Sequence, residues 1–210
     1  MLTIIGNGMG DYTFDNLDVN FCQFDRIVCD KNFYEKGNTV LNGDMEFIED
    51  YILNNYFKEN ILYVVSGSPF FFCESTLLAS KLPRNQVQII NNISCKTYMQ
   101  EKMYIDDSEI EVLSTCENEN IDMKKFLINT YTLILCSKDT APKIQEAIKH
   151  LNPQDLEVTI GYKLGYKDEI IEQITLFNNS YRAFDMHQPY VLVIKRLYYL
   201  KGLNQCILNI

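Results

Sequence analysis

The stretch Ile61-Leu62-Tyr63-Val64-Val65-Ser66-Gly67-Ser68-Pro69 decides the fold. Its apolar residues run unbroken from Ile61 to Val65, without the alternation of a half-exposed strand. Such a run suits a parallel strand buried on both faces. Ser-Gly-Ser-Pro then turns the chain at the strand's carboxyl end. The start of the chain repeats the arrangement: Leu2-Thr3-Ile4-Ile5 leads into Gly6-Asn7-Gly8-Met9-Gly10-Asp11. Open α/β sheets bind ligands at the carboxyl ends of their strands. Two buried strands that each end in a permissive loop predict one cleft made from both.

Outward from these two strands, the first half alternates β and α signals. Arg26 to Cys29 and Thr39 to Leu41 read as short strands. From Met45 to Phe57 the residues Phe47, Ile48, Tyr51, Ile52 and Tyr56 recur at helical spacing. Glu74 to Lys81 reads as a helix, Gln86 to Ile90 as a strand and Lys96 to Met103 as a helix. This order predicts a mostly parallel sheet. Glu109 to Ser114 is a further strand, followed by the polar run Thr115 to Asn120, where the domain boundary is placed: an N-terminal domain over 1–114 and a C-terminal domain over 115–210. Beyond it, Tyr131 to Cys136, Leu156 to Gly161 and Tyr190 to Lys195 read as strands. Ala141 to His150 reads as a helix with Pro142 in its first turn. Ile170 to Gln173 fits a short strand or a short helix, and the tail from Leu197 to Ile210 is apolar.

The composition narrows the function classes. The chain has 210 residues, 47% hydrophobic and 22% charged, which is ordinary for a globular protein. Its net charge of −9 argues against nucleic acid as a partner, since that needs a basic face. No apolar run approaches the roughly 20 residues of a membrane helix, so no membrane association is expected. Met1-Leu2-Thr3 leads straight into a strand and does not read as a signal peptide, and a cytoplasmic location is the expectation. The seven cysteines are odd in number and none are spaced as C-x-x-C, so they are read as reduced and structural. With only His150 and His187, no metal site is expected. The loop Gly6 to Asp11, with Asp30 further on, looks like a dinucleotide fingerprint. Its third glycine falls one position early, at Gly10, so the loop alone does not support a nicotinamide cofactor.

Four motifs in order fit one family. Gly6-Asn7-Gly8-Met9-Gly10-Asp11 is similar to an opening G-x-G-P-G-D loop. Ser66-Gly67-Ser68-Pro69-Phe70-Phe71-Phe72-Cys73 is similar to S-G-D-P-G-F-Y-G after a central strand. Asn91-Asn92-Ile93-Ser94-Cys95 stands where a P-G-I-S-S turn is found, and Leu164-Gly165-Tyr166-Lys167-Asp168-Glu169 matches an L-G-x-x-D-E element. On these residues the chain resembles the tetrapyrrole methylases, and within them the cobalt-precorrin-7 (C5)-methyltransferases and the C5-methylating module of precorrin-6Y methyltransferase. The departures are Met9 for proline, Ser68 for aspartate, Phe70 and Cys73 for glycine, and Asn91-Asn92 for Pro-Gly. An L-H-G-R run expected after Ser114 is absent.

The resemblance implies an α/β fold of the tetrapyrrole methylase type: two α/β domains with a ligand cleft between them. It implies S-adenosyl-L-methionine as methyl donor, S-adenosyl-L-homocysteine as product, C5 of a corrinoid precursor as acceptor, and a homodimer. Gly8, Met9, Gly67, Ser68, Phe71, Phe72, Ile93, Ser94, Cys95 and Leu164 are the residues it implies for the donor. Asp11, Lys96 and Lys138 are the candidates for the substrate side, with Lys163 as a further cation. Asp11 or Glu74 would compensate for the carboxylate that Ser68 replaces. No side chain is assigned as catalytic, because methyl transfer from a sulfonium needs alignment before all else. The alternatives are a binding protein on the same fold that has lost catalysis, and a methylase with another acceptor. Among the latter, RNA is disfavoured by the acidic charge.

Overall fold

The computed structural model describes residues 1–14, 17–31, 33, 39–114, 130–136, 143, 146, 153–175 and 190–197. They fall into two compact units, Met1–Cys95 and Lys96–Ile210.

The first unit is built on strands β1 (Leu2–Gly6), β2 (Arg26–Asp30), β3 (Val40–Gly43), β4 (Ile61–Val65) and β5 (Val87–Ile90). They form one sheet in the order β3-β2-β4-β1-β5. Every neighbouring pair is parallel. The uninterrupted apolar runs have the predicted cause: all residues of β1 and of β4 are buried. Because side chains alternate across a strand, each run feeds two cores. Leu2, Ile4, Val28, Ile61, Tyr63 and Val65 face one way and pack with Ile48, Ile52, Leu78 and Leu82. The first two of these come from helix α1 (Met45–Asn55) and Leu78 from helix α2 (Ser75–Ser80). Ile5, Ile27, Cys29, Leu62 and Val64 face the other way, against Leu17 and Phe33. That face is covered by aromatics of the β1–β2 connection, where Phe14 stacks on Phe21 at 5.7 Å, and by Phe33, which follows β2 and meets Tyr12 edge-on at 5.3 Å. Helix α1 starts where it does because the Asp44 carboxylate accepts the Phe47 N–H at 3.0 Å.

The second unit opens with helix α3 (Cys95–Met103), whose first residue closes the first unit. Its strands are β6 (Ile110–Ser114), β7 (Tyr131–Cys136), β8 (Leu156–Tyr162), β9 (Ile170–Ile174) and β10 (Tyr190–Arg196), in the order β6-β7-β10-β8-β9. This sheet is mixed. β6 and β7 are parallel, and β10 runs antiparallel between β7 and β8, with β9 antiparallel to β8. The ambiguous segment at Ile170 is a strand. Ile134, Val158, Ile160, Leu192 and Ile194 make the core of this unit.

The units divide at Cys95 and Lys96, whereas the sequence placed the boundary after Ser114. The reason is pairing: Ile110 to Ser114 lie alongside Tyr131 to Leu135, so β6 belongs to the second sheet. The polar run after Ser114 connects two strands of one sheet. The helix expected over Ala141–His150 lies outside the described residues except for Lys143 and Glu146, and so does the tail beyond Leu197. Among the described residues no helix is long and apolar enough to cross a membrane.

Candidate functional site

The sheet order sets β1 between β4 and β5, so the loops that leave these three strands are neighbours at one edge. They are tied together by backbone. Gly8 N–H donates to the Gly67 carbonyl and Gly67 N–H to the Gly8 carbonyl, each at 3.1 Å, and Asn7 N–H donates to the Val65 carbonyl at 2.7 Å. Gly8 and Gly67 have φ of 75° and 66°, a left-handed conformation that favours glycine. Gly6 is required for a different reason. A Cβ there would stand 2.3 Å from the Gly67 carbonyl oxygen and 2.8 Å from Pro69 Cδ.

Two side chains complete the latch. Asn92 lies against Gly6 and Gly8: its Nδ2 donates to the Gly6 carbonyl at 2.9 Å, and its Oδ1 accepts the Ile93 N–H at 2.8 Å. The Ser68 hydroxyl donates to Asn91 Oδ1 at 2.7 Å and accepts the Phe70 N–H at 3.2 Å. The departures at Ser68 and Asn91 are therefore mutual. A neutral hydroxyl in the second loop meets a neutral amide in the third. Asn7 is buried, and its Nδ2 donates to the Asp11 carbonyl at 2.9 Å. Its Oδ1 is a buried acceptor with no hydrogen-bond partner.

Of the residues the sequence singled out, Gly8, Met9, Gly67, Ser68, Phe71, Phe72, Ile93 and Ser94 belong to this edge, and Asp11 closes the first loop there. Ser68 and Ser94 are buried, and Met9, Phe71 and Ile93 half-buried. A Cβ on Gly67 would meet no atom within 4 Å, so the edge is open at that point. Asp11 and Glu74 are exposed. Cys95 is the first residue of α3.

Leu164 and Lys96 belong to the second unit and have local roles there. Leu164 is buried beside Gly161, with Met99 of α3 against the same glycine. Lys96 pairs with Asp107, whose carboxyl it holds below the usual range, with help from Gln100. Lys163 pairs with Asp168 at 2.5 Å and lowers that carboxyl in the same way. The Leu164–Glu169 element is a turn into β9. Glu169 reaches back to accept the Gly165 N–H at 2.6 Å and pairs with Lys102 at 3.4 Å. Burial pushes the Glu169 carboxyl up, but bonds from Tyr98, Gly165 and Lys102 outweigh it and leave it below its ordinary value. Asp168 and Glu169 thus tie a turn and do not cap a helix. Lys138 lies outside the described residues.

Sequence reasoning missed Asn7, Asn91 and Asn92 as members of the edge. The signal was present as a pair of departures, Ser68 and Asn91-Asn92, whose physical link shows only in three dimensions. Among the described residues, no group of three or more His, Cys, Asp or Glu side chains is placed to hold a metal ion.

No protein-family model matches the sequence. No curated protein sequence matches it either. The structure does match solved ones. The precorrin-6Y methylase of cobalamin biosynthesis from Archaeoglobus fulgidus superposes with a TM-score of 0.66 at 13% identity, over 93% of this chain and 97% of that one. A cobalt-precorrin-4 methyltransferase gives 0.69 at 16%, over 92% and 94%. A uroporphyrin-III C-methyltransferase from Thermus thermophilus, crystallised with S-adenosyl homocysteine, gives 0.68 at 12%, over 95% and 99%. The chain has the tetrapyrrole methylase fold.

Proposed function

We propose that this chain is an S-adenosylmethionine-dependent methyltransferase whose acceptor is a tetrapyrrole, C5 of cobalt-precorrin-7 or a related corrinoid. The observation that carries the reading is the Gly8–Gly67 latch at the carboxyl edge of a parallel sheet, in a fold whose neighbours include methylases of precorrins and uroporphyrin.

The residues of the edge suit the donor in kind. Glycine turns bring backbone close to a ligand at Gly67, where the surface is open. Asp11 and Glu74 supply negative charge near a cationic molecule, and no lysine or arginine stands in residues 6–14, 66–74 or 91–95 to oppose it. Ser68 contributes a hydroxyl where a carboxylate would add charge. The donor supplies a methyl group activated by its sulfonium. The chain's task is to hold donor and acceptor at a separation of about 3–3.5 Å and to exclude water. The homodimer belongs to the same reading and is checked by light scattering.

The test is thermal unfolding of the full chain with increasing S-adenosylhomocysteine, with NADH as control. A ligand that binds only the folded state raises the midpoint as its concentration passes Kd. A saturable rise with the homocysteine compound alone is expected, and methylation of cobalt-precorrin-7 then tests the acceptor. Asn92 lying against Gly6 and Gly8 favours the second reading, a binding protein that has lost catalysis. That reading predicts stabilisation without turnover.

A further inference from the structure

The loop after β4 presents aromatic rings to solvent. Phe70 is 61% exposed and Phe72 48% exposed. Large aromatic side chains left in water forgo the favourable burial that most of them find. Phe72 carries a second cost. Its φ is 46°, in the left-handed region that bulky residues avoid. Such backbone is held only where the surroundings over-determine it, and it clusters at ligand-handling sites.

The surroundings here are fixed. Phe70 N–H is bonded to Ser68 Oγ, and Phe71 N–H to the Ser68 carbonyl at 3.2 Å. The Ser75 hydroxyl holds the Pro69 carbonyl at 3.2 Å. The half-buried Phe71 ring meets Phe72 edge-on, with centroids 5.0 Å apart and planes at 83°, which sets the orientation of the exposed ring. The loop also follows directly on the open Gly67. Its charge is as informative as its shape. The three strand-end loops, residues 6–14, 66–74 and 91–95, contain Asp11 and Glu74 and no basic residue. These three loops carry no cation of their own with which to grip a carboxylate. It has ring faces, and ring faces attract other flat π-systems through offset stacking.

We infer that Phe70 and Phe72 form a stacking platform by which the first unit holds the conjugated face of the methyl acceptor. The inference rests on the function proposed above. It assigns Phe72 to the acceptor rather than to the donor wall that the sequence suggested. It also makes this unit read the acceptor's ring plane and not its peripheral carboxylates.

The test uses the full chain and a water-soluble porphyrin with an uncharged, hydroxyl-bearing periphery. Wild type is expected to shift the porphyrin Soret band saturably. Phe70→Ala should weaken that binding about tenfold, as loss of one stacked ring does. Phe70→Leu, which keeps apolar bulk and loses the plane, should weaken it nearly as much. Both Phe70 variants should keep the wild-type stabilisation by S-adenosylhomocysteine. Phe72→Gly relieves the left-handed backbone, so its unfolding midpoint should equal or exceed wild type while porphyrin binding falls. A ring retained for packing alone would lower the midpoint instead. Absence of a Soret shift with wild type overturns the inference. So does a Phe70→Leu chain that binds as wild type, because the patch is then merely apolar and suits a protein partner or a second copy. A wild type that binds porphyrin without responding to S-adenosylhomocysteine overturns the methylase reading and leaves the platform standing.

Discussion

Two turns in this protein do the same geometric job with opposite chemistry. The edge of the first unit and the Leu164–Glu169 turn of the second both leave a strand through a glycine at positive φ, Gly8 at 75° and Gly165 at 80°. The first is latched by uncharged groups: the Gly8–Gly67 backbone pair, the Asn92 amide and the Ser68–Asn91 bond. The second is latched by charge, with Glu169 on the Gly165 N–H and Lys102, and Lys163 on Asp168. Neutral bonds keep their strength across pH and salt, whereas exposed ion pairs are screened and titrate. A neutral latch leaves the local field to Asp11 and Glu74, which suits the cationic donor proposed for this edge. The charged turn stiffens a strand connection and needs no such neutrality.

The contrast is broken most severely at Gly6. Gly6→Ala places a Cβ 2.3 Å from the Gly67 carbonyl oxygen, a backbone atom that accepts the Gly8 N–H. We expect a loss of about 3 kcal/mol or more in urea unfolding, the upper end for overpacking, with the S-adenosylhomocysteine response lost. Next in size is Glu169→Gln, which removes a charge-assisted bond and an ion pair from a partly buried turn. After screening by water the cost is about 1–2 kcal/mol near neutral pH. The sign with pH follows from its lowered folded value. The carboxylate's contribution is complete above its ordinary value of 4.5 and is lost as pH falls through the lower folded value. Urea midpoints from pH 7 down to strongly acid conditions should therefore converge for wild type and Glu169→Gln at the acid end.

Asn92→Ala removes the amide from the neutral latch and should cost about 1 kcal/mol. Because no charge is involved, that difference should be the same in low salt and in high salt, which distinguishes the two turns directly. The smallest change is expected at Asp168. Its pair with Lys163 is exposed, and Asp168→Asn should leave the thermal midpoint within error once salt is present. A large effect there would erase the distinction drawn between a glutamate that matters and an aspartate that decorates.

Much of this was legible in the residues. β4 and β1 announce themselves as apolar runs stopped by glycine, and α1 by its spacing, while its Asp44 cap shows only in the structure. The glycines of the edge were legible as punctuation, because only a few residue types tolerate φ near 70°. Strand direction in the second unit was not. Nothing in Tyr190 to Lys195 tells that the strand runs antiparallel to both its neighbours. The boundary after Ser114 misled for a related reason. A polar run looks the same whether it links two domains or two strands of one sheet, and only the pairing of β6 with β7 separates the cases.

The sequence by itself determined the parallel α/β core of the first unit and the presence of glycine turns at its strand ends, since burial on both faces and left-handed backbone each demand particular residue types. Tertiary structure alone decided that Asn92 meets Gly6 across 86 positions of chain and that Ser68 meets Asn91 across 23. Those partners are chosen by the sheet order, which sets β1 between β4 and β5. Strand order is a property of long-range pairing and leaves no local mark on the residues it brings together.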